Sequence, residues 1–137
     1  MTNTHEMVLE ALEVAKSLLA GGPLSAEEVA ERFGTIDRVE SGNRSLMIVP
    51  ESPVLRRVVI FGDNSGRAQA VIFDLAEGNA LDVATLEAQF GPPVEAGVAG
   101  PGRILVLGWN EPVRILASVE PSEGGMTSDH ITVERPT

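Results

Sequence analysis

Ser128-Asp129-His130 is a place where a hydroxyl, a carboxylate and an imidazole stand together in this chain. Those are the residue types of acyl-transfer catalysis. The spacing defeats the chemistry. The segment reads as a strand, and neighbouring strand residues point to opposite faces, so the three cannot converge. His130 is therefore read as exposed or paired across strands, and Ser128, Asp129 and His130 are expected to carry no hydrolase or metal-dependent activity. His5, at the start of a helix, is expected to be solvated. "GDNSGR" offers oxygen ligands in Asp63, Asn64 and Ser65. A Ca²⁺ loop needs glycine at position six and glutamate at twelve. Here Gly66 comes fourth and Asp74 stands at twelve, so a hairpin turn is the better reading. "GVAGPG" (Gly97–Gly102) does not lie between a strand and a helix, so it is not a phosphate cradle, and it reads as a flexible loop. No catalytic residue, metal set or cofactor site is expected.

The bulk numbers narrow the class. A chain of 137 residues is a single domain, or two small units sharing one core. Hydrophobic content is 43% and charged content 22%, usual for a soluble globular protein. No apolar run approaches the ~20 residues needed to span a bilayer. "MTNTHEMVLEALEVAKSLLAGG" lacks the basic start of a secretory signal, and Glu6, Glu10 and Glu13 interrupt its apolar positions. A cytoplasmic location is the expectation. The absence of cysteine removes disulfides, thiolate metal sites and lipid attachment at cysteine. A net charge of −10 repels phosphate backbones and anionic lipid. Neither nucleic acid nor membrane is expected as a partner. Another protein is, a basic one being compatible with the charge, as is a second copy of this chain.

The elements that would position any site follow from periodicity. Within the N-terminal segment 1–22, residues 4–20 read as a helix, with Val8, Ala11, Leu12, Ala15 and Leu19 at helical spacing. Asn3 with Glu6 offers a capping box, and Gly21-Gly22-Pro23 a stop. A second helix begins at Ser25, an N-cap whose capping box closes with Glu28. Leu24 and Val29 would staple it, and Gly34 would end it in the left-handed conformation. The same device recurs 57 residues later. Asp82 is the N-cap, Leu81 and Leu86 the staple, and Gly91 the stop before Pro92-Pro93. Each copy points a phenylalanine, Phe33 or Phe90, at a sheet, and the two are expected in equivalent buried places.

The correspondence extends past the helices. Ser45–Pro50, Arg57–Gly62 and Gln69–Leu75 follow the first; Arg103–Trp109, Val113–Val119 and Asp129–Arg135 follow the second. All are short β-branched runs bounded by Gly, Pro, Asn and Ser, and so read as strands. An extra strand is expected over Ile36–Val39. The fold class is α+β: two tandem helix-plus-antiparallel-sheet repeats, Leu24–Leu75 and Leu81–Arg135, with an extra N-terminal helix.

A short helix ending Phe-Gly and followed by an antiparallel meander resembles the small outer-membrane lipoprotein A type of motif. In tandem it is similar to the β-lactamase-inhibitor-protein fold. The pattern Leu-x4-apolar-x3-Phe-Gly carries this at Leu24, Val29, Phe33 and Gly34, and again at Leu81, Leu86, Phe90 and Gly91. The resemblance implies a non-enzymatic module that grips another protein with an exposed sheet face. With only Phe33, Phe61, Phe73, Phe90 and Trp109 as aromatics, an aromatic-rich inhibitory face is not reproduced, and β-lactamase is not carried over as a target.

The strands themselves point the same way. "LMIV", "VVIF", "AVIF" and "ILVL" do not alternate apolar with polar, as a sheet with one wet face should. One face meets the helices. The other is filled by the chain itself or by association. An interface there would include Met47, Phe61 or Leu116, with Trp109 near its edge as an anchor. Trp109 as a plug for the end of the core is the competing reading. The expected function is a protein-binding module, of inhibitor, immunity or chaperone-like type. The alternative is a small-molecule-binding or enzymatic domain with a pocket between the repeats. A polar pocket holding His130 or Asp74 would favour the latter, an apolar sheet face the former.

Overall fold

The computed structural model describes residues 4–21, 24–40, 45–63, 65–92, 95–99, 104–109, 113–122 and 125–135. Helix α1 (Thr4–Ala20) has the expected bounds. It buries Val8, Leu12, Ala15 and Leu19, the stripe that its periodicity marks. Asn3, Gly22 and Pro23, the proposed cap and stop, lie outside the described residues.

Helix α2 (Ala26–Ala30) is a single short turn and a half. Its capping box forms as expected. The Glu28 N–H donates to Ser25 Oγ at 3.1 Å, and the Ser25 N–H donates to Glu28 Oε1 at 3.2 Å. The chain then runs into strand β1 (Gly34–Glu40), longer than the expected Ile36–Val39. Gly34 corrects the sequence reading. It opens β1 and is not left-handed. Its need for glycine is a close approach: a Cβ there would overlap the carbonyl oxygen of Val49 on β2 (Ser45–Pro50). Strands β3 (Leu55–Gly62) and β4 (Ala68–Leu75) complete a four-strand antiparallel meander.

Strand β5 (Leu81–Asp82) leads directly into α3 (Val83–Phe90). Asp82 has the extended backbone of an N-cap but makes no capping hydrogen bond with its side chain, a second correction. Gly91 does end this helix with a positive φ of 86°. The two Phe-Gly pairs thus use glycine for different reasons. Strands β6 (Glu95–Ala99), β7 (Ile104–Trp109), β8 (Arg114–Ser122) and β9 (Gly125–Glu134) form a second antiparallel meander. The expected "GVAGPG" loop is β6 as far as Ala99. Gly97, Val98 and Ala99 pair with β7, and the remaining residues of that motif, 100–102, lie outside the described part.

All nine strands form one sheet, ordered β1-β2-β3-β4-β9-β8-β7-β6, with β5 paired to β9. The two meanders meet along β4 and β9, whose registers run from Ala70↔Glu134 to Asp74↔His130. Residues from all three helices join one buried cluster with Leu46, Ile48, Val58, Ile60, Val71, Phe73, Ile115, Ile131 and Val133. These strand residues share a face, so the helices cover one side of the sheet. Phe33 is buried and meets Phe73 edge-on, with ring centres 5.3 Å apart. Phe90 is only half-buried, and Lys16 Nζ lies 5.5 Å from its ring centre. The expectation that these two phenylalanines occupy equivalent buried places is not met.

That difference sets a stability test. Phe33→Ala should cost about 3–5 kcal/mol, the usual loss for a buried aromatic, and Phe90→Ala clearly less, in urea denaturation of the two variants. Gly34→Ala should cost about 1–3 kcal/mol, because the overlap is with backbone that must move. Equal losses at the two phenylalanines would contradict the packing described.

Candidate binding face

The helix-free face is assembled by register. One row crosses the sheet as Met47, Val59, Ile72, Thr132 and Leu116, each residue paired with the next on a neighbouring strand. The next row holds Ser45, Phe61, Ala70, Glu134 and Arg114. On the other side lies a polar row, Arg57, Asp74, His130 and Ser118. The middle row is apolar across three adjacent strands and again at Leu116. Phe61 is 40% exposed and Val49, on the same strand as Met47, is 56% exposed. Met47, Val59, Ile72 and Leu116 are half-buried, as expected of side chains flanked by neighbours and covered by no helix among the described residues.

The sequence candidates sort as follows. Met47, Phe61 and Leu116 come together on this one face. Trp109 ends β7 in register with Ile115, a buried residue of the helix-covered face; its side chain lies outside the described residues. Ser128 is buried, and its hydroxyl donates to the carbonyl of His130 at 3.1 Å. Asp129 is exposed. The three consecutive residues thus do not converge.

His130 instead finds a partner on another strand. Its Nδ1 is 2.6 Å from Asp74 Oδ1. Arg57 donates to the other carboxylate oxygen, through Nε at 2.8 Å and Nη2 at 2.6 Å. Asp74 has a side chain only 8% exposed, whereas Arg57 is 50% and His130 43% exposed. Burial alone would raise the Asp74 carboxyl. The hydrogen bonds and charges of His130 and Arg57 outweigh it and hold the group below the usual carboxylate range. The cluster is thus a buried carboxylate neutralised by two half-exposed donors. Sequence reading missed Arg57 and Asp74 as a pair. Their signal was present: Asp74 stands two residues from Ile72 and four from Ala70, which places all three on one face.

The second polar feature is a turn. Asp63 accepts from the Ser65 hydroxyl at 2.7 Å, the Ser65 N–H at 2.8 Å and the Arg67 N–H at 3.1 Å. Arg135 donates to its second oxygen at 3.0 Å. The Ser65 donors are the main cause of a carboxyl lowered to about 2. These bonds close the β3–β4 hairpin on itself. Asn64 lies outside the described residues, and no group of three or more potential metal-ligating side chains occurs among those described.

A groove of about 370 Å³ lies elsewhere, between α1, the end of α2 and the β2–β3 connection. Met7, Ala11, Val14, Phe33 and Leu55 give it apolar walls, with Arg32, Glu10 and Glu51 at the rim. It contains neither His130 nor Asp74.

No family model matches this sequence, and no curated protein does. Among solved structures, the chain is similar to a DUF4309 family protein (YjgB) from Bacillus subtilis subsp. subtilis str. 168. The TM-score is 0.63 at 11% identity, over 93% of this chain and 97% of that one. At this identity the likeness shows a shared fold alone. No helix among the described residues is long and apolar enough to cross a membrane.

Asp74 supplies a prediction with a defined sign. Its pKa is lower in the folded chain than the ~3.9 of a free aspartate. Its stabilising effect is therefore complete above that value and disappears as pH falls through the folded pKa. Asp74→Asn should cost about 1–3 kcal/mol at neutral pH, discounted for the exposure of its partners. Urea titrations of the two proteins from about pH 6 to about pH 2 should show that gap closing. A gap that widens on acidification would contradict the ion-pair geometry.

Proposed function

We propose that this chain is a non-enzymatic protein-binding module that uses its helix-free sheet face. The observation that carries the reading is the row Met47–Val59–Ile72, continued at Leu116, with Phe61 and Val49 exposed beside it. Apolar side chains gathered on an uncovered sheet are the usual mark of an interaction surface. Aromatic and aliphatic anchors within a polar border match the anatomy of protein interfaces. The Arg57–Asp74–His130 and Arg114–Glu134 groups supply that border.

The architecture is read as two copies of one helix-plus-meander unit. α2 precedes β1–β4, α3 precedes β6–β9, and the meanders join through their last strands. This arrangement supports the resemblance to the β-lactamase-inhibitor-protein fold, in which a sheet face grips another protein. An inhibitor, immunity or chaperone-like role follows as the class. The groove beside α1 favours a small-molecule reading instead, although it lies within the first unit and α1 rather than between the units.

Phe61→Glu and Leu116→Glu test the face. Each places a charge where a partner's apolar surface should pack. Both variants should keep the wild-type circular dichroism and lose association, measured by light scattering and by pull-down with the tagged chain as bait. Two folded variants with association unchanged would remove this face as the binding surface and leave the groove as the better candidate.

A further inference from the structure

We infer that the partner on this face is a second copy of the chain, packed sheet against sheet; this rests on the binding-face reading above. The distribution of charge selects this partner. The molecule carries a net charge of −10, so two copies repel each other through most of their surfaces. The three helices hold six glutamates against one lysine. The three rows on the opposite face hold two arginines and two carboxylates, and each arginine is paired to one of those carboxylates. Within those rows the charges balance, and the register adds only Arg38, Glu40 and Glu95 towards the sheet margins, so this face carries far less net acid than the helices. A basic partner would be drawn to the helices. A second copy is accepted best where the net charge is smallest.

Distance reinforces the choice. Two sheets face to face lie ~10 Å apart, and each helix layer sits roughly another 10 Å behind its own sheet, so the acidic layers end roughly 30 Å apart. That is well beyond the ~8 Å over which charges interact at physiological salt. Any helix-to-helix or helix-to-sheet approach brings the acid closer.

Size fits as well. Eight strands in sequence across the sheet, at ~4.8 Å spacing and about six residues of ~3.3 Å each, span roughly 750 Å². A stable interface buries about 800 Å² on each partner. In an aligned packing the Met47–Val59–Ile72 rows of the two copies would interleave, with Phe61 and Val49 covered.

The chain has no cysteine, which makes the test clean. Light scattering of the wild type over a concentration series should give twice the chain mass. Phe61→Glu and Val49→Glu should each give the single-chain mass. Val49 is more than half exposed, so its replacement tests the interface even if Phe61→Glu fails to fold. Thr132→Cys, mid-face, should cross-link to itself with a short bis-maleimide, and Glu87→Cys, on the helix side, should not. A wild type of single-chain mass at every concentration overturns the inference, as does a dimer that survives Val49→Glu or cross-links through Glu87→Cys. A single-chain wild type that binds a different protein, and loses it in Val49→Glu, overturns the self-partner while the binding face stands.

Discussion

The ladder between β4 and β9 is the joint on which this structure depends. Five register pairs, Ala70↔Glu134 to Asp74↔His130, tie together segments about sixty residues apart. On one side of the ladder, Val71, Phe73, Ile131 and Val133 form the floor of the core on which α1 packs. On the other side, Ile72 and Thr132 continue the apolar row, and Asp74 meets His130. Core, face and polar cluster are three products of one pairing. A shift of one residue would exchange the two sides and bury Asp74 and His130 beneath α1. The Arg57–Asp74–His130 bonds oppose that shift, since they form in only one register.

The helices divide the labour differently. α1 supplies an apolar stripe that spans the joint. α2 is too short to be stable alone and is held by its surroundings. The Ala26 N–H donates to the carbonyl of Gly66 and the Ala68 N–H to that of Leu24, so its entrance is latched to the β3–β4 turn. The same turn is fixed by Asp63 and reached by Arg135 from the end of β9. A surface turn thus links the first helix-plus-meander segment to the last strand of the second.

Much of this was legible in the residues. Periodicity placed α1 at its bounds, and Ser45–Pro50 was read to the residue, because short β-branched runs between Gly, Pro and Ser have few alternatives. Ser25 and Glu28 form their box because both partners are local in sequence. The failures have physical causes. Gly34 follows Phe33 as Gly91 follows Phe90, but its glycine is required by a strand nearby in space, which no local pattern reveals. Asp82 has the right type and backbone for a cap, yet its side chain makes no capping bond. β6 was hidden by Gly97 and the glycines that follow it in sequence, since pairing with β7 outweighs the weak strand preference of Gly97. Asp74 and His130 each stand out in the sequence, but their pairing depends on register between distant strands. The lack of alternation in the strands did show that both faces are apolar; which residues share a face had to come from the pairing.

The edge of the sheet has a bearing on how such a molecule stays discrete. β1 ends the strand order and presents unpaired backbone groups to any passing extended chain. Its pairing with β2 is interrupted between Ile36 and Arg38, leaving Asp37 exposed at the irregularity. An irregular edge bearing a carboxylate is a poor template for another strand. Growth of the sheet sideways into a fibril is thereby discouraged at the rim. An apolar broad face beside a guarded margin directs any association towards the face and away from this edge.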